Sequence, residues 1–170
     1  MMKHHLFLVV IALLSAFSLP CRPSPGDDGT QPAPYNTVSV QPLAPLTVGS
    51  SQGVSAPFAA TIAGKTYVAG GCNFPDVPAA DGGTKVMYDS IFVLHDGGRW
   101  EFAGHLPCPT AYGATLTVGE TMLCIGGNDG TSTLDKMLVL VPGEKEGIAV
   151  RKTVPLPIPL ENLAAAYDPT

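Results

Sequence analysis

Between Phe58 and Ala103 the chain alternates apolar and polar residues with the two-residue period of half-buried strands. Phe58-Ala59-Ala60-Thr61-Ile62 leads into a turn at Ala63-Gly64-Lys65, and Thr66-Tyr67-Val68-Ala69 ends in the pair Gly70-Gly71. After a loop come Tyr88-Asp89-Ser90-Ile91-Phe92-Val93-Leu94, a Gly97-Gly98 turn and Trp100-Glu101-Phe102-Ala103. The pattern predicts four short strands, each closed by turn residues. It then recurs. Gly126-Gly127 stands 56 residues after Gly70-Gly71, an offset that sets Ile62 on Val118, Tyr67 on Leu123 and Ala69 on Ile125. Asp135-Lys136-Met137-Leu138-Val139-Leu140 repeats Asp89 to Leu94 at an offset of 46, so the loop between second and third strands is 10 residues longer in the first copy. A third start, Asn162 to Tyr167, follows Leu156-Pro157-x-Pro159 as Tyr112 follows Leu106-Pro107-x-Pro109, here at a spacing of 50.

Repeats of this length built from four strands, with a glycine pair closing the second strand and an aromatic opening the fourth, are the signature of kelch β-propeller blades. The glycines supply space where inner strands converge on the central channel, because a backbone without Cβ can turn and approach its neighbours closely. The expected fold is therefore all-β: an incomplete kelch-type β-propeller with one blade at 55–107, a second at 110–157 and the start of another at 160–170. A ring of four or more blades takes roughly 200 residues at this repeat length. The sequence is accordingly read as a fragment whose ring is closed by further C-terminal blades. Thr37 to Gln41 is strand-like and is expected as an outermost strand that covers a sheet edge.

Composition adds the surroundings. The 19 Gly and 17 Pro fit short strands and many turns, and a net charge of -5 from few charged residues leaves no basic stripe for nucleic acid. Lys3, the apolar run Leu6 to Leu14 and Ala16-Phe17-Ser18 read as a signal peptide over 1–18. That stretch is shorter than the roughly 20 apolar residues a membrane helix needs. The Pro-, Gly- and Asp-rich stretch 19–36 reads as a tether. Export to the periplasm or cell surface is expected, with a lipid on Cys21 or a retained N-terminal anchor as the alternatives to simple cleavage. Cys72, Cys108 and Cys124 lack metal-ligand spacing; Cys124 aligns with Val68 and is expected in the core, and a Cys72–Cys108 bridge is conceivable. No metal or cofactor is called for. His95 and His105 are expected at the sheet edge, and the repeated Asp89 and Asp135 as structural residues.

Gly70-Gly71-Cys72-Asn73-Phe74-Pro75-Asp76, the strand Tyr88 to Leu94, Ala111-Tyr112-Gly113-Ala114 and Cys124-Ile125-Gly126-Gly127-Asn128, in that order, resemble the cyclically permuted mutarotases, the N-acetylneuraminate epimerase family of kelch propellers. The resemblance covers roughly Gly53 to Val141. It implies a six-bladed exported isomerase that interconverts the anomers of sialic acid, a small sugar acid, by general acid–base ring opening and closure. It further implies a catalytic Glu and Arg six residues apart, in a blade whose glycine pair is replaced by Gly-Glu. Here the pair stands as Gly126-Gly127 followed by Asn128, and Thr133 lies six residues after Gly127, so no catalytic residue is assigned in this stretch. The alternative is a non-catalytic kelch module binding protein or glycan.

In a four-stranded meander the connections from strand two to three and from strand four to the next blade emerge on the same side. That places Asn73, Asp76, Lys85, Tyr112, Asn128 and Asp129 on one face, as candidates for binding sugar hydroxyls and a carboxylate. Asn and Asp beside glycine are also ordinary turn residues.

Overall fold

Turn chemistry sets where each strand stops. The computed structural model describes residues 42–169 apart from 50, 97 and 144–146. It opens with a short hairpin, β1 (Thr47–Val48) and β2 (Ser51–Gln52). Strands β3 (Phe58–Ile62) and β4 (Lys65–Ala69) pair antiparallel from Phe58 opposite Ala69 to Ile62 opposite Lys65. The two residues left between them, Ala63 and Gly64, have φ of 49° and 74°, as a turn that matches strand twist requires. The stretch expected as a plain loop is itself a hairpin, β5 (Cys72–Asn73) with β6 (Val86–Met87), capped by a 3-10 turn at Ala79–Asp81. Strands β7 (Ser90–Leu94) and β8 (Trp100–His105) complete a four-stranded antiparallel sheet in the order β3-β4-β7-β8.

The second sheet repeats the first. Its members are β9 (Ala114–Val118), β10 (Thr121–Ile125), β11 (Met137–Pro142) and β12 (Ile148–Lys152), each paired antiparallel with the next. The inner strands adjoin, with the Ala59 amide donating to Thr115 Oγ1 at 3.3 Å. The architecture is that of successive blades of a kelch β-propeller, and among the described residues the sheets do not close into a ring.

The offsets read from sequence recur as backbone hydrogen bonds. Gly71 N donates to Thr110 O at 2.8 Å and Gly127 N to Leu160 O at 2.8 Å; Leu106 N donates to Asp89 O at 2.7 Å and Leu156 N to Asp135 O at 2.7 Å. Tyr112 N donates to Ala56 O at 3.0 Å, and Asn162 N to Tyr112 O at 2.8 Å. Ala56, Tyr112 and Asn162, the same position in three repeats, all adopt positive φ (51°, 64° and 52°). The third strand is shorter than its apolar pattern suggests: Tyr88 N donates to Gly71 O at 2.9 Å and Thr110 N donates to Tyr88 O at 3.0 Å, which ties Tyr88 to the blade junction.

Because side chains alternate across a strand, each sheet has two faces to cover. Phe58, Ile62, Tyr67, Ile91 and Val93 from the first sheet meet Met122, Cys124, Leu138 and Leu140 from the second in one shared core. Burying each large member contributes about 1.5–3 kcal/mol. The opposite face of the second sheet, with Ile125, Leu123 and Leu116, packs against Leu156, Leu160 and Leu163. The expected signal peptide (1–18), tether (19–36), strand Thr37 to Gln41 and lipid-bearing Cys21 lie outside the described residues.

Cys72, Cys108 and Cys124 are all free thiols, so the conceivable Cys72–Cys108 bridge is absent. Cys124 is buried in the shared core, as its alignment suggested, and desolvation pushes its thiol far above the ordinary range. Cys72 is equally buried, whereas Cys108 is partly exposed. Since the thiolate is the reactive species and must be reached, a thiol-specific reagent on the native protein is expected to modify Cys108 and spare Cys72 and Cys124. Peptide mass mapping before and after denaturant checks this; labelling of Cys124 under native conditions would contradict the packing.

Candidate functional site

At one end of the sheets three repeats contribute to a cleft of about 380 Å³. It is lined by Lys85 and Met87 from the first repeat, Tyr112, Asn128 and Gly130 from the second, and Glu161 and Asn162 from the start of the third. The strand-to-strand connections put them there: β6 delivers Lys85, and the positive-φ kinks at Tyr112 and Asn162 turn the chain from one repeat into the next.

Tyr112 organises the polar side. Its hydroxyl oxygen accepts from Lys85 Nζ at 2.8 Å and from the Cys72 thiol at 3.3 Å. A phenol oxygen has two acceptor sites and one hydrogen. The Cys72 thiol also lies 3.7 Å from the Ser55 carbonyl oxygen; because an ammonium only donates, the phenol accepts from Lys85 and keeps its own hydrogen to offer elsewhere. Lys85 Nζ lies 5.1 Å from the centroid of the Tyr112 ring and 5.8 Å from that of Phe74, so two aromatic rings lie beside the ammonium. The Tyr112 hydroxyl, as hydrogen-bond acceptor, raises the Lys85 pKa above the ordinary lysine value. Lys85 is thus an exposed, fixed cation at the cleft mouth. Asn128 Oδ1 accepts from Gly130 N at 2.7 Å, which curls the 128–130 turn around the cleft wall.

Of the six residues singled out from sequence, Lys85, Tyr112 and Asn128 meet in this cleft and the other three do not. Asn73 lies apart from the cleft, engaged with the backbone of an upstream segment. It is 9% exposed, its amide donates to Val48 O at 3.2 Å and Gly53 O at 2.9 Å, and its Oδ1 accepts from Tyr88 Oη at 2.8 Å. Its side chain fastens the β1–β2 hairpin to β5. Asp129 is a turn residue: Oδ1 accepts from the amides of Thr131 (2.9 Å) and Ser132 (2.8 Å), and these bonds, Ser132's foremost, hold its carboxyl below the usual range. Asp76 is exposed in the loop beyond β5 and does not line the cleft. The histidines sit at the outer strands, with His95 Nε2 3.3 Å from Glu101 Oε2 and His105 Nδ1 3.1 Å from Asp89 Oδ1. Among the described residues no group of three or more His, Cys, Asp or Glu is placed to hold a metal ion, and no helix is long and apolar enough to cross a membrane.

Met87, Gly130, Glu161 and Asn162 were not anticipated as site residues. Glu161 had a signal in the repeat: it occupies the position of Ala111 and Ser55, where the earlier copies carry small side chains.

No family model matches the chain. Curated relatives do. An N-acetylneuraminate epimerase from Brucella suis is 31% identical over 121 residues, covering 65% of this chain and 31% of that protein. One from Vibrio cholerae serotype O1 is 34% identical over 99 residues, covering 52% of this chain and 26% of the relative. The chain is related to the N-acetylneuraminate epimerases. A solved structure described as "Structure of YjhT" superposes with a TM-score of 0.56 at 27% sequence identity, over 64% of this chain and 33% of that one. The chain therefore spans between a quarter and a third of the length of the curated relatives it matches.

Proposed function

We propose that the cleft binds a carboxylated sugar of the N-acetylneuraminate type, and that the protein interconverts the sugar's anomers. The observation that carries this reading is the Lys85–Tyr112 pair: a fixed ammonium suited to a carboxylate beside a hydroxyl whose hydrogen is left for an acceptor on the ligand. The kinship with N-acetylneuraminate epimerases supplies the ligand class. Anomer exchange at a hemiketal requires one group to take the anomeric hydroxyl proton while another protonates the ring oxygen as the ring C–O bond opens, and the reverse on reclosure. In this reading Lys85, Tyr112 and Asn128 bind and orient the sugar. The leader-like sequence at 1–18 supports export, so that the encounter takes place outside the cytoplasm.

Titrating N-acetylneuraminate into the full chain by NMR tests the binding. Lys85→Met is expected to weaken binding measurably, by about 10-fold or less, because the ammonium is exposed and its attraction for a carboxylate is screened by water. Binding is expected to hold from neutral to alkaline pH and fall only as Lys85 deprotonates, since its raised pKa keeps the ammonium charged beyond the ordinary lysine range. Undiminished affinity in Lys85→Met would remove the basis of the reading. The same spectra report exchange between anomers. Binding without faster exchange favours a second reading, a non-catalytic kelch module that binds glycan, in line with Gly127 and Thr133 standing where the family's motif would set its Glu and Arg.

A further inference from the structure

Glu161 breaks the repeat in a way that packing does not reward. The equivalent residue of the preceding repeat, Ala111, is fully buried at the blade junction, and the one before that is Ser55. At this position Glu161 places a carboxylate whose Oε2 is buried and has no hydrogen-bond partner among the described residues. An unsatisfied buried acceptor is costly and rare, and each one calls for an explanation. Its location offers one. Glu161 lines the same cleft as Lys85 and Tyr112, and the next residue's amide donates to the Tyr112 carbonyl oxygen at 2.8 Å, which ties the main chain at Glu161 to that of Tyr112.

We infer that Glu161 is a specificity-determining residue whose carboxylate, by turning its closed-off Oε2 toward the cleft, accepts a hydrogen bond from a hydroxyl or amide N–H of the bound sugar acid. The inference rests on the proposed function and refines it. Lys85 selects for a carboxylate, and Glu161 requires that the same molecule carry a neutral donor some distance away. A second anionic group facing Glu161 is repelled, and a small carboxylate with no donor leaves Oε2 as it stands, buried and unpaired. The cleft thereby distinguishes a polyhydroxylated acid from the simple carboxylates that share its head group. A site built to hydrogen-bond a ligand donor discriminates strongly against analogues that lack it, because its own polar group is otherwise left unsatisfied.

The test compares two ligands on three proteins: N-acetylneuraminate and acetate, titrated by NMR into the wild-type chain, Lys85→Met and Glu161→Ala. The alanine variant installs the residue that the preceding repeat carries at this position, so its fold is not at risk, and loss of an unsatisfied buried carboxylate is expected to leave the melting temperature unchanged or raised. Glu161→Ala is expected to weaken N-acetylneuraminate by about 10- to 100-fold while acetate binds as before or tighter. Lys85→Met weakens both. An equal effect of Glu161→Ala on the two ligands, no effect on either, or a lowered melting temperature overturns the assignment and leaves the Lys85 reading intact. Failure of the wild-type chain to bind N-acetylneuraminate overturns the proposed function and this inference together.

Discussion

Gly126→Ala and Gly70→Ala are each expected to lower the free energy of unfolding by about 3 kcal/mol or more, placing them among the severe single substitutions. Two effects add. Both residues have positive φ, 63° and 66°, a conformation that costs an L-residue about 1–2 kcal/mol. A Cβ at Gly126 would also lie 2.3 Å from the Leu160 carbonyl oxygen, and one at Gly70 would lie 2.2 Å from that of Thr110. These are backbone atoms and cannot swing aside. Moving them breaks the bonds from Gly127 N to Leu160 O and from Gly71 N to Thr110 O, both 2.8 Å, that join each sheet to the start of the next repeat. Gly64→Ala is the control, with φ of 74° and nothing within 4 Å of the added carbon, so that only the conformational cost remains. Urea unfolding of the full chain, followed by the fluorescence of Trp100, measures all three. If Gly126→Ala costs no more than Gly64→Ala, the close approach is not what the glycine pair provides.

Phe58→Ala is expected to cost about 3–5 kcal/mol, the range for deleting a buried aromatic ring. Phe58 is 1% exposed at the first position of β3, and its ring crosses to the neighbouring repeat. A Cβ on Gly113 would lie 2.3 Å from Phe58 Cε1 and 2.7 Å from the carbonyl oxygen of Ile125, so the ring fills space vacated by a residue of the second repeat. The loss should appear as a lower midpoint with an unchanged slope against urea, because the surface exposed on unfolding barely changes. Gly113→Ala should be comparably damaging for the mirror-image reason. A small effect of Phe58→Ala would mean that the two sheets do not share a core in solution.

Both predictions rest on features that the sequence displays openly. Glycine pairs, each followed later by a Leu-Pro-x-Pro, are visible because the geometry at each blade junction admits few alternatives, and the structure repeats the same backbone bonds at Gly71 and Gly127. Strand positions were equally plain, since Phe58 to Ile62 and Met122 to Ile125 alternate or cluster as the pleat requires. The site was legible in part. The meander rule placed Lys85, Tyr112 and Asn128 on one face, but it could not separate a side chain facing a cleft from one engaged by a distant backbone. Asn73 shows why: its partners Val48 and Gly53 belong to a hairpin 20 and 25 residues upstream that leaves little periodic trace. Asp129 was ambiguous for a local reason, because the side chain that would greet a ligand also closes its own turn. Glu161 lies at the start of the third copy with no motif of its own, and only comparison with Ala111 marks it as an exception.

The kinked residues Ala56, Tyr112 and Asn162 hang from the same bend in successive repeats, held by main-chain bonds that are indifferent to what the side chain is. A methyl group, a phenol and an amide have each been mounted on that bracket without disturbing the sheets behind it. Chemical preference at the mouth can therefore drift one codon at a time while the scaffold stays put, and descendants of one sequence could come to hold different small molecules on an unaltered frame.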